Sequence, residues 1–158
     1  MNDFSDLFYT IFSIVIFSFL LLQANSLMLR NDNVTVDYEY EKTAIALAQS
    51  IIEEAKSLAF DENLSADDVP NDFKAPGQFG SGGLSREDFT AFDHFHGFNE
   101  TVATQLGDYD ITVTVEYIDS EPPFDPVGGR TTSKRMTVTA GSVANNDSAT
   151  LVYIKSFF

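Results

Sequence analysis

Residues 7–29 read LFYTIFSIVIFSFLLLQANSLML, 23 positions without one charge. Between Leu7 and Leu22 only Thr10, Ser13 and Ser18 interrupt the aromatic and aliphatic side chains. About 20 apolar residues, rising about 1.5 Å each, cross the hydrocarbon core of a bilayer. A helix packed on a soluble core keeps one polar face, whereas this one is apolar all round. Its surroundings must be lipid or other apolar helices. A secretory signal peptide needs a basic leading segment and a small-residue cleavage site. Here the leading segment is Met-Asn-Asp-Phe-Ser-Asp and the first positive charge is Arg30, at the far end. An ordinary single-span anchor satisfies the same pattern. In an anchor, Asp3 and Asp6 sit solvated at the interface. In a bundle of helices, one of them needs a cationic partner, because an unpaired carboxylate in apolar surroundings costs about 2.5–3.5 kcal/mol.

Working outward, a polar patch at Asn31-Asp32-Asn33 follows, and then Val34, Val36, Tyr38 and Tyr40 alternate briefly, which fits helix or strand. From Glu41 the spacing is helical, with apolar residues at Ala44, Leu47, Ala48, Ile51, Ala55, Leu58 and Ala59. The first Pro is Pro70 and the first Gly is Gly77. Nothing therefore forces a break between residues 3 and 60, and an unbroken helix there would measure about 85–90 Å. The Asn31–Asn33 patch is the expected place for local melting. The 44–59 stripe reads as core packing, so something C-terminal must cover it.

Residues 61–107 are punctuated by Gly, Pro, Asp and Asn, yet carry Phe73, Phe79, Phe89, Phe92, Phe95 and Phe98. A disordered linker lacks such aromatic content, so this reads as an ordered loop with aromatic anchors. A short helical turn is expected over Ser85–Phe92, with Ser85 capping and Asp88 at the third position. Strand signals then take over. Tyr109, Ile111, Val113, Val115 and Tyr117 alternate with polar residues; Met136, Val138 and Ala140 do likewise; Leu151–Ile154 is a short apolar run. Turn-rich links at 119–130 and 141–148 join them. The expectation is an α+β chain. A long N-terminal helix over 1–60 (1–30 apolar, 31–60 amphipathic) precedes a head over 61–158, with a loop at 61–107 and a three-stranded antiparallel sheet at 108–158.

The formal net charge of −15 opposes binding to a phosphate backbone, so no nucleic acid is expected as partner. With no Cys there is no disulfide, thiol nucleophile or thiolate metal site. The Gly77–Gly83 segment lacks the Lys and following helix of a phosphate-binding loop, and no serine-nucleophile motif occurs, so neither a cofactor nor an enzyme activity is expected. His94 and His96 at i, i+2 would share a strand face and are weak metal candidates; packing or loop hydrogen bonding is the plainer role. Asp61, Glu62, Asp67, Asp68 and Asp72 are an acidic cluster. Calcium favours such oxygens, with Asp67, Asp68 and Asp72 the candidates, but no regular loop spacing is present and a solvated loop is the plainer reading. Glycosylation sequons stand at Asn33, Asn63, Asn99 and Asn146.

A helix that is apolar first and amphipathic second, then a variable loop and an antiparallel sheet, resembles the type IV pilin family, which includes pseudopilins. The tract AIALAQSIIEEAKSLAFDE at 44–62 resembles the second half of the pilin first helix, and FDHFHGF at 92–98 with DYDITVTVEYID and SKRMTVTA resembles the globular part. The resemblance implies a homopolymer in a helical filament. The subunit would wait in the inner membrane, be processed by a leader peptidase and be handled by pilus assembly machinery. It would end in an extracellular surface filament serving adhesion, motility or secretion. It assigns assembly roles to Phe8, Phe12, Ile16, Phe19 and Leu22. Asp6, with Asp3 as fallback, would be the carboxylate that pairs with a neighbouring N-terminal amine. The usual basic leader ending in Gly, the Phe-Thr-Leu-Ile-Glu start and the transmembrane Pro are absent from the sequence; a leader already removed would account for the first of these. A minor pseudopilin or tip subunit of a secretion or uptake machine, or a single-span membrane-tethered binding module, are the alternatives.

Overall fold

The computed structural model describes residues 3–63, 69–144 and 147–157; the side chains of residue 3 and of residues 29–35 lie outside that description. Helix α1 runs from Asp3 to Ser57, 55 residues without interruption. The backbone stays helical through 31–33, where local melting was expected, and through 34–40, where the alternation was ambiguous. Asn and Asp are middling helix formers, and only Gly or Pro costs enough to break a long helix locally. The chain nevertheless divides into two compact units, Met1–Glu39 and Tyr40–Phe158. The boundary falls inside α1, not at its end as the sequence suggested, because the stripe that begins at Ala44 belongs to the core of the second unit.

The helix stops at Ser57, three residues before the expected limit. Beyond it the backbone pairs elsewhere: the Ala59 N–H donates to the Thr90 carbonyl at 3.1 Å and the Phe92 N–H to the Ala59 carbonyl at 2.9 Å. The freed carbonyls at the helix end are met by a cation. The Lys155 ammonium donates to the Lys56 carbonyl at 3.0 Å, and also contacts the carbonyls of Ala55 and Leu58. A positive charge is favourable there because the last carbonyls of a helix have no partner within it.

The head carries a four-stranded antiparallel sheet in sequential order: β1 (Asn99–Thr104), β2 (Gly107–Tyr117), β3 (Ser133–Ser142) and β4 (Ser148–Ser156). Three strands were expected, and β1 corrects that reading. Its sequence, NETVAT, offers no clean apolar alternation and its burial alternates only between exposed and half-buried, so it passed as loop. Tyr109, Ile111, Val113, Val115 and Tyr117 all point into the core, as do Met136, Val138 and Ala140. All but Tyr117 cluster with Ala44, Ala48, Ile51, Ile52 and Ala55 of the helix and with Phe89, Phe92 and Phe95 from the intervening segment, while Tyr117 packs with Phe60 and Phe73. Alanines at three of the helix positions let the helix lie close to the sheet. That segment is ordered by short 3-10 turns at Pro76–Gln78, Arg86–Asp88 and Phe92–Phe95. Ser85 does precede a turn, but its side chain makes no capping bond. Arg86 fixes this segment instead, reaching Glu54 on α1 and Glu100 on β1, each at 2.6 Å.

Candidate functional site

Two regions hold unusual chemistry. The first is the apolar part of α1. From Phe4 to Met28 the helix is 25 residues long with mean hydropathy 2.2, and none of it is buried by the rest of the chain. By length and composition it suffices to cross a membrane. The residues assigned to assembly are all open: Phe8 64%, Phe12 57%, Ile16 45%, Phe19 61% and Leu22 69% exposed. The few hydroxyls do not interrupt the apolar surface. Thr10 Oγ1 donates to the Asp6 carbonyl at 2.7 Å and Ser18 Oγ to the Ile14 carbonyl at 2.8 Å, the back-bonding that lets such residues sit in an apolar helix. Asp6 lies exposed near the start of the helix, where the unsatisfied N–H groups favour a negative charge. The side chain of Asp3 lies outside the described residues.

The second is a buried ionic cluster in the head, which the sequence reading missed. Lys134 sits on β3 in the inward register shared with Met136, Val138 and Ala140, and it is fully buried. Its ammonium donates to Asp61 Oδ2 at 2.6 Å and to the Phe60 carbonyl at 2.9 Å. Three rings enclose it: Phe60 at 4.5 Å, Phe79 at 4.9 Å and Tyr117 at 5.2 Å from ammonium to ring centre. Asp61, expected in a solvated acidic loop, is also fully buried. Its Oδ1 accepts the backbone N–H groups of Asn63 and Lys74, both at 3.0 Å, while its Oδ2 lies 3.2 Å from the Tyr117 hydroxyl. Asp93 completes the group. Both of its oxygens are buried and accept no hydrogen bond; Lys134 Nζ lies 3.5 Å from Oδ1, and Lys74 Nζ 3.8 Å from Oδ2.

The electrostatics follow from burial. Loss of water pushes the Lys134 ammonium below its usual range, opposed by the charges of Asp93 and Asp61. Burial, then the Asp61 charge, raises the Tyr117 hydroxyl, which therefore stays protonated. Lys155 is likewise lowered, first by burial and then by Lys134. Extending the β3 alternation back from Met136 to residue 134 would have revealed a lysine on the core face. Nothing in sequence brings Asp61 and Asp93 to it.

The two histidine candidates serve separate parts of the backbone. His94 lies in the 3-10 turn at Phe92–Phe95, not on a strand, and its Nδ1 accepts the Thr90 N–H at 3.3 Å. His96 Nδ1 accepts the Val115 N–H at 3.1 Å. Each ring serves the backbone of a different segment. Among the described residues no three acidic or imidazole side chains gather as metal ligands. Asp72 is half-buried, whereas Asp67 and Asp68 lie outside the described residues. Of the sequons, Asn63 and Asn99 are exposed, the latter opening β1; Asn33 lies within α1 with its side chain outside the description, and Asn146 lies outside the described residues.

Comparison with family models, curated proteins and solved structures returned no match. The functional reading therefore rests on the chemistry of the chain.

Proposed function

We propose that this chain is a structural, non-catalytic subunit of an extracellular type IV pilus-like filament, polymerising through its apolar N-terminal helix. One observation carries the reading. A helix with one half fitted into a folded head has another half, Phe4–Met28, that its own chain leaves wholly uncovered. Soluble monomers rarely expose contiguous apolar patches beyond a few hundred Å2. Before assembly that surface is covered by the inner membrane. In the filament it is covered by the same segment of neighbouring copies. Lipid and apolar helices solvate it about equally, so the exchange is close to neutral and machinery supplies the work. Outside the cell, water makes release of a subunit strongly unfavourable. Asp6 pairs with an amine of a neighbour and sets the register, while the acidic heads face water and repel one another.

The test is electron microscopy and mass spectrometry of filaments sheared from cells that make the protein. Fibres composed of this chain support the reading. Recovery of the chain only as a minor component of fibres built from another subunit assigns it to a pseudopilin or tip role, and recovery only as a detergent-soluble membrane monomer assigns it to a tethered module; either result overturns the major-subunit proposal.

A further inference from the structure

The geometry points to a second, covalent role for the head: we infer that Lys134 and Asp61 condense into an intramolecular isopeptide bond, with Asp93 carrying the protons. The inference is independent of the filament reading.

Amide formation between an ammonium and a carboxylate is ordinarily prevented by three things: dilution, charge and competing water. The cluster removes each. The amine and the carboxylate oxygen Oδ2 lie 2.6 Å apart, one carried by β3 and the other by the segment that follows α1. Fixed proximity of this kind corresponds to effective concentrations on the order of 10^5 M or more. Lys134, Asp61 and Asp93 have no exposure, and three aromatic rings line the site. Burial also favours the neutral amine, the form that acts as nucleophile. Asp61 is oriented as an acceptor of attack. The Asn63 N–H on Oδ1, and the Lys74 N–H that Oδ1 shares with Oδ2, are placed to stabilise the negative charge that develops on Oδ1. Oδ2, beside the amine and the Tyr117 hydroxyl, is the oxygen that leaves.

Asp93 gives the cluster a purpose beyond ion pairing. A lysine neutralised by Asp61 needs no second carboxylate, and burying one without a hydrogen bond is costly. Yet Asp93 stands 3.5 Å from the same ammonium and 3.8 Å from the Lys74 ammonium, with neither of its oxygens accepting a hydrogen bond. Its Oδ1, 3.5 Å from the amine and free of hydrogen bonds, can take up the proton that the amine must lose.

The step balances without a co-reactant. The Lys134 ammonium gives one proton through Asp93 to Oδ2 of Asp61. The freed nitrogen lone pair attacks Cγ; the C–N bond forms and charge moves onto Oδ1. A second proton passes from nitrogen through Asp93 to Oδ2. The C–Oδ2 bond breaks and water departs as the Oδ1 carbonyl reforms. The third hydrogen remains on the amide nitrogen, Asp93 returns to its starting state, and nothing is oxidised or reduced.

The test is intact-mass and peptide mass spectrometry of the full chain purified in detergent. The expected result is a mass deficit of one water and a branched tryptic peptide joining the segments of Asp61 and Lys134, with no cleavage after Lys134. Asp93→Asn, which keeps the volume but cannot carry a proton, is expected to retain the water, and its near-ultraviolet circular dichroism reports whether the head is folded. A full sequence mass with normal cleavage after Lys134 overturns the inference. So does a water loss confined to one linear peptide, which marks a cyclic imide. A folded Asp93→Asn chain that still forms the branched peptide removes Asp93 from the mechanism.

Discussion

The two halves of α1 both carry many apolar residues, aromatic and branched in the first and alanine-rich in the second, and meet different fates. Between Ala44 and Ala55 the apolar residues form one stripe, and strands β2 and β3 of the same chain cover it; Ala44, Ala48, Ile51 and Ala55 have no exposure. Between Phe4 and Met28 they form a full ring, and none of it is buried among the described residues. A stripe asks for one partner surface, which a small sheet supplies. A ring needs partners on every side, which a head of this size does not provide. The angular width of the apolar surface, more than its hydrophobicity, decides whether the covering comes from within the chain or from outside it.

The contrast can be pushed until it breaks. The largest effect is expected in the covered half's surroundings. Lys134→Ala takes the buried ammonium from Asp61 and Asp93 and is expected to destabilise the head by about 3–5 kcal/mol relative to the uncondensed wild-type chain, read by denaturant unfolding in detergent. Next comes a matched pair. Ile51→Ala is expected to cost the head about 2–5 kcal/mol. Ile16→Ala is expected to leave head unfolding within about 0.5 kcal/mol and to lower only the yield of assembled material. Equal losses at the two positions would contradict the division. Lys155→Met, which removes the cation at the helix end, is expected to cost about 1 kcal/mol, seen as a lower midpoint in the same titration.

The smallest effect is a pH dependence at the rim of the cluster. Hydrogen bonding to Lys74, then to His94, holds the Glu62 carboxyl below the usual range. Its folded value lies under its unfolded one, so its contribution is complete above pH 4.5 and disappears as pH falls through the lower, folded value. Glu62 is half-exposed, and solvent screening keeps this small. Glu62→Gln should flatten that part of the acid-side stability profile and leave neutral pH almost unchanged; an identical profile in the variant would refute the coupling.

Much of this architecture was legible in residue order. The 44–55 stripe and the inward faces of β2 and β3 follow from periodicity, because period 3.6 and period 2 are properties of the backbone, whereas helix continuity through 31–40 was open in sequence, where only the absence of Gly and Pro favoured it. Strand β1 was not legible: as an edge strand over a half-solvated surface it needs no apolar alternation, and its place is fixed by pairing with β2, Asn99 opposite Thr112 through Thr104 opposite Gly107. The ionic cluster was hidden for a related reason. Asp61, Asp93 and Lys134 look like ordinary surface residues until three separate segments close on one another, and a pairing across 73 positions, as between Asp61 and Lys134, leaves no local trace.

Lys155 carries a consequence for synthesis. It lies 97 to 100 positions after the carbonyls it caps, on the last strand. At ordinary translation speeds of about 5–20 residues per second, the end of α1 waits about 5–20 s for its closing cation. Throughout that interval the leading apolar segment is already made while the amphipathic stripe behind it is still unclothed. On the proposed reading, the order of the chain would make delivery to the membrane the first event and completion of the head the last.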